Sequence, residues 1–167
     1  MSQKILYDEG VRRLNQYKLN EIRHEFHLDI ENEKDLIEEA IKRLPLQLRL
    51  NQLERKIFIK EGGKNFSMKW HCDDCSIFKH KDGYNCLSNN IKLSEKYSLY
   101  YTKLPKYSMI IYLSTYGRDF TGGEFNFVDK TVKPEKYKVL FFDSREVHKV
   151  NTVSSGLRKT ILVKFYD

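Results

Sequence analysis

Four side chains of this 167-residue sequence have the types and the spacing that metal-dependent chemistry requires. His71 and Asp73 lie two positions apart near the end of a predicted strand, so the strand period directs both to one face and Cys72 to the other. By itself, this pair is a weak indication of a metal site. His148 follows a second predicted strand, and two imidazoles with one carboxylate can hold iron(II) from one side and leave its remaining positions open. Farther along, Arg158 can grip a dicarboxylate through two parallel hydrogen bonds, which a lysine cannot do.

The segments that must position these side chains are predicted to be strands. After Pro45, short β-branched and aromatic runs alternate with Gly, Asn and Asp turns, which is typical of an all-β sandwich or barrel. Residues 55–60 and 66–70 flank the turn-like segment 61–65 and are predicted to form a hairpin. The other predicted strands are residues 22–30, 107–114, 124–128, 138–143 and 158–166.

One helix is predicted before this β-rich region. Apolar residues recur at helical spacing within residues 33–44, and Pro45 ends the run. Residues 1–20 are ambiguous, with a helix as one interpretation. Residues 76–106 are rich in Lys, Asn, Ser and Tyr and are too long for an ordinary connection, so we interpret them as an insertion with short structure of its own.

Composition indicates one basic domain with a packed interior. The chain has 40% hydrophobic residues and a formal net charge of +7. The positive excess permits binding to a polyanion without proving it. No apolar run approaches the roughly eighteen residues of a membrane span, and no basic start precedes an apolar stretch. We therefore predict a cytoplasmic protein without a membrane partner.

The cysteines allow two interpretations. Cys72, Cys75 and Cys86 cannot all pair within one chain, and without an export signal reduced thiols are expected. Together with His80 they also have a spacing that allows zinc, which needs four convergent ligands. Because Cys72 is predicted to point away from His71 and Asp73, free thiols are the preferred interpretation and zinc stays the alternative.

Two further pairs of residues lie near the candidate ligands or their strands and could shape the site. Gly122 and Gly123 precede a predicted strand, where glycine permits a close backbone approach. Asp143 and Asn151 flank His148, where they either orient its ring through hydrogen bonds or hold ordinary turns.

Five segments, taken in order, resemble one enzyme family. They are WHCD (70–73), YSMIIYLS (107–114), DFTGGEFNF (119–127), KVLFFDSREVHKV (138–150) and SGLRKTILVKFYD (155–167). Their order and spacing resemble the iron(II)- and 2-oxoglutarate-dependent dioxygenases, above all the prolyl 4-hydroxylase catalytic domain shared with lysyl hydroxylases and oxygen-sensing prolyl hydroxylases. The resemblance implies a mainly β fold, a double-stranded β-helix or jelly-roll barrel, with N-terminal helices packed on one sheet.

The resemblance covers residues 55–167 and implies one dioxygenase domain over residues 1–167. Residues 1–54 would supply helical and strand support, and residues 55–167 would form the catalytic barrel core. This sequence departs from the family at residues 76–106, where the usual connection is shorter. It also has Lys-Ile-Phe-Ile-Lys at 56–60, where an Arg-Tyr pair is common.

The resemblance also assigns roles to single residues. His71, Asp73 and His148 become the iron ligands, and Arg158 becomes the anchor for the distal carboxylate of 2-oxoglutarate. Tyr112 would offer its hydroxyl to the same carboxylate, and strand alternation supports this role because Tyr112 shares a face with Ser108 and Ile110. The other residues implied to line the cosubstrate pocket are Ile110, Phe125, Val150 and Thr160.

The function implied by the resemblance is hydroxylation of a side chain, in the first place prolyl, in a protein or peptide, with release of succinate and CO2. The implied cofactors are Fe(II), 2-oxoglutarate as cosubstrate and O2, with ascorbate as a candidate reductant.

Two alternatives stay open. The first is a nucleic-acid-directed oxygenase or demethylase of the same superfamily, which the net charge and the Lys- and Tyr-rich insertion favour. Against it, nucleic-acid demethylases usually carry a second arginine after the anchor, where only Lys164 follows here. The second is a catalytically silent β-barrel binding module, which the intact ligand set disfavours. Nothing in these patterns predicts the oligomeric state.

Overall fold

The computed structural model describes residues 22–29, 35–71, 73, 79–80, 83–85, 92–93 and 105–167. Two short helices lie near the start, α1 (Leu36–Lys42) and α2 (Gln47–Leu50). The strands, in chain order, are β1 (His24–His27), β2 (Glu54–Gly62), β3 (Met68–His71), β4 (Lys79–His80), β5 (Gly83–Asn85), β6 (Lys92–Leu93), β7 (Tyr107–Tyr112), β8 (Phe120–Gly122), β9 (Phe125–Phe127), β10 (Thr131–Val132), β11 (Lys138–Asp143), β12 (His148–Val150), β13 (Val153–Gly156) and β14 (Arg158–Tyr166).

Two antiparallel sheets build the jelly roll. The first has five strands in the order β1-β11-β7-β14-β2, and the second has four in the order β10-β9-β12-β3. Apolar residues from both sheets meet in one buried cluster, so the sheets pack face to face. The predicted mainly β, jelly-roll fold is therefore confirmed.

Strand alternation divides the five-stranded sheet into two apolar faces. On β7, Ile110 and Tyr112 point into the space between the sheets, while Met109 and Ile111 point outward. The outward face is covered by α1 and α2, whose buried residues are Leu36, Ala40, Ile41 and Leu50. Helical spacing brings the apolar side chains of α1 to one side, which is why this short helix packs on the sheet. The predicted helices on one sheet are thus present.

The predicted hairpin between residues 55–60 and 66–70 is wrong. Strand β2 pairs along its whole length with β14, and β3 pairs with β12 in the other sheet. The turn between β2 and β3 carries the chain from one sheet to the other, and its backbone bonds to Val153 through the amide of Asn65 and the carbonyl of Phe66. Asn65 has a φ of 74°, a conformation that asparagine tolerates in turns. The predicted turn is therefore present, and only the predicted pairing of the two strands beside it is wrong.

Two of the sequence predictions concern residues that the structure does not describe. The possible helix in residues 1–20 and the choice between free thiols and zinc at the three cysteines lie outside the described residues. Within the predicted insertion, β4, β5 and β6 form a three-stranded antiparallel sheet. Among the helices that the structure describes, neither is long and apolar enough to cross a bilayer.

Candidate metal centre

His71, Asp73 and His148 meet at one end of the four-stranded sheet. His71 ends β3 and His148 begins β12, and the antiparallel register places the two residues directly opposite each other. Their ring centroids are 4.2 Å apart. One carboxylate oxygen of Asp73 lies 3.7 Å from the Nε2 atom of each histidine. Three ligand atoms thus lie within 4.8 Å of one another in a buried position, an arrangement that can hold a metal ion.

Each imidazole is held so that its Nε2 atom is directed toward the carboxylate of Asp73. The Nδ1–H of His71 donates to the carbonyl oxygen of Lys69 at 2.7 Å, and the Nδ1–H of His148 donates to that of Glu146 at 2.9 Å. A carbonyl can only accept, so both rings carry their proton on Nδ1 and present the lone pair of Nε2. Nε2 is thereby available as a metal ligand on both rings.

Burial also keeps both rings neutral. It lowers the pKa of His71 to about 4, with a further contribution from the nearby His148, and it lowers the pKa of His148 below its ordinary value. Metal ligands must be deprotonated, so neutral imidazoles favour metal binding near pH 7.

His148 is further fixed by aromatic packing. Its ring stacks on Phe125 with centroids 5.2 Å apart and contacts Phe142 edge-on at 5.0 Å. The two phenylalanines restrict the ring to one orientation, in which Nε2 faces Asp73.

Asp73 is oriented by a serine pair that the sequence analysis did not assign. The hydroxyl of Ser108, on β7, donates to the second carboxylate oxygen of Asp73 at 2.6 Å and lies 3.0 Å from the hydroxyl of Ser144. Burial would raise the pKa of Asp73, but His148, Lys164, His71 and the Ser108 hydrogen bond together hold it below the ordinary value. The indication of this role in the sequence is strand alternation, which places Ser108 on the same face of its strand as Tyr112.

The side-chain hydrogen bonds of Asp143 and Asn151 go to described residues other than His148. The carboxylate of Asp143 accepts hydrogen bonds from the backbone and the guanidinium of Arg145, and Asn151 bonds to Glu124 and Asn126. Asp143 therefore holds a local turn, as one of the two interpretations predicted, whereas Asn151 links the end of β12 to β9.

Ser108→Ala is expected to weaken iron(II) binding by about ten- to a hundredfold, because removal of a group that orients a metal ligand has effects of this size. The measurement is an anaerobic metal titration of the purified protein. Ser155→Ala, which removes an exposed hydroxyl bonded to Thr121, is the matched control and should bind iron(II) as the unaltered protein does. Equal affinity in the Ser108 and Ser155 variants would show that Asp73 needs no such support.

Arg158 is a buried cation without a carboxylate partner among the described residues. Arg158 is the first residue of β14 and is only 6% exposed. The Nε–H donates to the carbonyl oxygen of Gly123 at 3.0 Å, and the guanidinium lies 5.3 Å from the ring centroid of Tyr112. A buried cation is costly unless an anion compensates it, so this position is suited to an anionic ligand.

Two buried donors next to each other remain unused. Within the described structure, neither Nη2 of Arg158 nor the hydroxyl of Tyr112 has a hydrogen-bond partner. Burial raises the pKa of Tyr112 to about 12, which keeps the phenol protonated and able to donate. A carboxylate could accept from both groups, so the observation fits the predicted carboxylate anchor.

The predicted glycine pair lets the backbone pass close to Thr152 and Arg158. Gly122 and Gly123 have φ values of 72° and 71°, in the left-handed region that favours glycine. A Cβ atom on Gly122 would lie 2.1 Å from the carbonyl oxygen of Thr152, and one on Gly123 would lie 3.1 Å from Cδ of Arg158. Close backbone approach is therefore the reason for glycine here.

One cavity connects the three candidate ligands with Arg158. The structure places Ile110, Phe125, Val150 and Thr160 in its wall. Tyr112 is not among the residues that line the cavity, but its ring centroid lies 5.3 Å from the guanidinium carbon of Arg158, which does line it. Residues that the sequence analysis did not assign to this cavity are Lys60, Gly62, Phe66, Met68, Leu162 and Lys164.

Comparison with known proteins agrees with this geometry. The family model described as "2OG-Fe(II) oxygenase superfamily" matches residues 57–167. A Xenopus tropicalis protein and a Homo sapiens protein, both called 2-oxoglutarate and iron-dependent oxygenase domain-containing protein 3, are each 40% identical over 65 residues. The match spans 35% of this chain and only 20% of each relative.

Among solved structures, a Pseudomonas putida prolyl-4-hydroxylase has a similar fold. The comparison gives a TM-score of 0.51 at 19% identity and covers 99% of this chain and 87% of the other. At this identity the similarity extends to the fold alone.

Proposed function

Because the chain belongs to the 2OG-Fe(II) oxygenase superfamily, we propose that it hydroxylates a prolyl side chain in a protein or peptide, with release of succinate and CO2. The observation that carries the proposal is the single cavity that joins His71, Asp73 and His148 to Arg158. The resemblance of residues 55–167 to prolyl 4-hydroxylase catalytic domains supports the prolyl substrate.

The residues present fit both groups that this family requires, Fe(II) and 2-oxoglutarate. Two neutral imidazoles and one carboxylate are the donor set of non-haem iron(II) oxygenases, and they would hold the metal. Arg158 and Tyr112, with their unused buried donors, would hold the distal carboxylate of 2-oxoglutarate. When bound, the metal and the cosubstrate supply the oxidising chemistry that couples oxidative decarboxylation of 2-oxoglutarate to hydroxylation of a C–H bond.

The chain itself contributes position and a dry environment. Ser108 and the backbone carbonyls of Lys69 and Glu146 orient the three ligands before any metal arrives, which reduces the cost of assembling the site. Apolar side chains of Ile110 and Phe125 in the cavity wall exclude water from the reacting groups. The carbonyl of Gly123 holds the guanidinium of Arg158 in place, so its free edge faces the ligand.

The described residues 22–29 and 35–54 support this site from outside. The helices α1 and α2 cover the outer face of the five-stranded sheet, and β1 extends the sheet beside β11. We propose that residues 1–167 act as one catalytic domain. Ascorbate as a reductant and a cytoplasmic location stay predictions.

Purified protein supplied with Fe(II), 2-oxoglutarate and air is expected to form succinate slowly without a substrate and faster with a suitable prolyl peptide. A gain of about 16 daltons on the peptide, the mass of one oxygen atom, identifies hydroxylation. A sample treated with a metal chelator is the control and should form no succinate.

The same assay separates the alternatives. Loss of a methyl group from a methylated oligonucleotide, with no change in any peptide, would favour the nucleic-acid-directed oxygenase. No succinate under any condition would favour the silent binding module.

A further inference from the structure

The β2–β14 strand pair carries a basic surface that the proposed chemistry leaves unexplained. The register places Lys60 opposite Thr160, Phe58 opposite Leu162 and Lys56 opposite Lys164. Because Thr160, Leu162 and Lys164 line the cavity, their partners on β2 face the same side. We call Lys56, Phe58, Lys60, Lys164 and Tyr166 the basic strip.

The lysines of the basic strip surround an exposed aromatic ring. Phe58 is 40% exposed. The ammonium groups of Lys60 and Lys164 lie 6.0 Å and 5.9 Å from its ring centroid, and that of Lys56 lies 4.9 Å from the ring of Tyr166. Among the described residues, no carboxylate lies within ion-pair distance of any of these three lysines.

This arrangement is unfavourable for the free protein. Like charges directly opposite each other on neighbouring strands are destabilising, and Lys56 and Lys164 form such a pair. A feature that costs stability and lies at a functional cavity is expected to have a ligand-related role.

The charges of the cavity lead to the same conclusion. Three cationic side chains, Lys60, Arg158 and Lys164, and one carboxylate, Asp73, line it, which leaves an excess of two positive charges. Binding of Fe(II) and 2-oxoglutarate would not change this excess, because the charges of the dication and the dianion cancel. The distal carboxylate of 2-oxoglutarate would compensate Arg158, so the excess rests on Lys60 and Lys164.

Lys164 is also close to the metal ligands. It lies opposite Ser108 on β7, and Ser108 donates to Asp73. A group bound by Lys164 would therefore lie near the reacting centre, and a group bound by Lys56 would lie farther out along the strand.

Among the described residues, the cations of this strand pair that lack a carboxylate partner are confined to one face. On the opposite face, Lys159 lies 3.8 Å from Glu61, and Arg55 pairs with Glu38. On the face of the basic strip itself, Glu54 lies opposite Tyr166 at the far end from the cavity. A long polyanion along the strip would meet this carboxylate, whereas one or two carboxylates near Lys60 and Lys164 would not. The local charge pattern thus fits an acidic peptide better than a nucleic acid.

We propose that the basic strip is the substrate-recognition surface and that it selects a peptide with an aspartate or glutamate side chain close to the hydroxylated residue. Lys60 and Lys164 bind the carboxylate, and the ring of Phe58 supports the apolar part of the peptide. The inference rests on the proposed function, because it takes the substrate to be a peptide.

The test uses three prolyl peptides that differ only in the residue beside the proline, which is Glu, Gln or Lys. Binding to the full chain loaded with Fe(II) and 2-oxoglutarate is measured by fluorescence anisotropy at low salt without oxygen, and succinate release is measured separately in air. The unaltered protein should bind the Glu peptide at least about tenfold more tightly than the Gln peptide, and the Lys peptide most weakly.

Charge reversal gives the sharper result. Lys164→Glu should reverse the order, so that the Lys peptide binds most tightly. Lys60→Glu, at an exposed position on the edge strand, should do the same and provides a second variant if Lys164→Glu does not fold. Lys159→Glu, on the opposite face of β14, is the matched control and should keep the preference for Glu.

The outcomes separate the two proposals. Equal or unmeasurable binding of the three peptides, an order that the Lys60 and Lys164 variants leave unchanged, or tighter binding of an oligonucleotide than of the Glu peptide would overturn the recognition surface. If the Glu preference and its reversal are observed but no succinate forms with any substrate, the recognition surface stands and the proposed function fails.

Discussion

His148→Ala is expected to abolish iron(II) binding and 2-oxoglutarate turnover. The substitution removes one of three protein ligands, and even the loss of a group that only orients a ligand typically costs ten- to a hundredfold in affinity, about 1.4 to 2.7 kcal/mol. Loss of the ligand itself should therefore weaken iron(II) binding by more than about a hundredfold. His71 and Asp73 would remain in place, but two ligands cannot restrict the metal to one position.

The fold should survive this change. Residue 148 pairs through its backbone with His71 and Phe127, and alanine keeps these hydrogen bonds. Removal of the ring from between Phe125 and Phe142 leaves a small cavity, which lowers the unfolding temperature without preventing folding. Circular dichroism and a thermal scan of the metal-free protein check this expectation.

The measurements are the metal content of the purified protein and the rate of succinate formation. His27→Ala is the matched control, because His27 is exposed and lies on β1, the edge strand of the five-stranded sheet opposite to β2. The cavity residues of this sheet lie on β7, β14 and β2. It should bind iron(II) and turn over normally. Full metal content in the His148 variant would remove this residue from the metal centre.

Arg158→Lys is expected to raise the KM for 2-oxoglutarate by about ten- to a hundredfold and to leave kcat nearly unchanged. Hydrogen bonds to charged groups contribute about 1.5 to 3 kcal/mol, and lysine cannot form the parallel pair that a guanidinium forms with a carboxylate. The bond from Nε to Gly123 is lost as well. Because the anchored carboxylate is remote from the reacting end of the cosubstrate, the loss affects binding of ground state and transition state alike.

Steady-state kinetics with varied 2-oxoglutarate measure both constants. Arg118→Lys is the matched control, since it makes the same chemical change at an exposed arginine, and its KM should equal that of the unaltered protein. An unchanged KM in the Arg158 variant would exclude the carboxylate anchor. A fall in kcat at constant KM would instead assign Arg158 to the chemical step.

The strands that form the centre of the fold could be predicted closely from the sequence. For β11 and β14 the predicted ranges 138–143 and 158–166 equal the observed ones. Both strands are rich in β-branched or aromatic residues, and their side chains alternate between an inner and an outer apolar cluster. Side-chain direction within a strand depends only on local backbone geometry, so the sequence pattern contains it.

Partner choice between strands could not be predicted in the same way. The segments 55–60 and 66–70 have the composition of a hairpin, yet β2 joins β14 and β3 joins β12. Pairing depends on which distant faces can be buried together, and local turn composition contains no information about that. The helix shows a smaller difference, because the predicted range 33–44 extends two residues past the end of α1 at Lys42. Residues 33–34 lie outside the described residues.

The candidate site shows the same division. The ligand types, the shared direction of His71 and Asp73, and the spacing from His148 to Arg158 were visible in the sequence. The roles of Ser108 and Ser144 were not, because a buried serine and a surface serine look alike in a sequence, and only packing decides which carboxylate a hydroxyl can reach.

The basic strip depends even more on the tertiary structure. Lys56 and Lys60 are more than ninety positions from Lys164 in the chain, and as isolated lysines they are ordinary solvent-facing residues. The antiparallel register of β2 and β14 places them on one face beside the cavity.

Chemical capability therefore lay in the residue types and their local periodicity, since ligand chemistry and strand geometry are properties of short segments. The sequence patterns did not show that those residues converge in space, because convergence depends on the register between strands that are distant in the chain. His71 and His148 became neighbours, and Lys56, Lys60 and Lys164 became one surface, only when burial of the two apolar clusters selected that register.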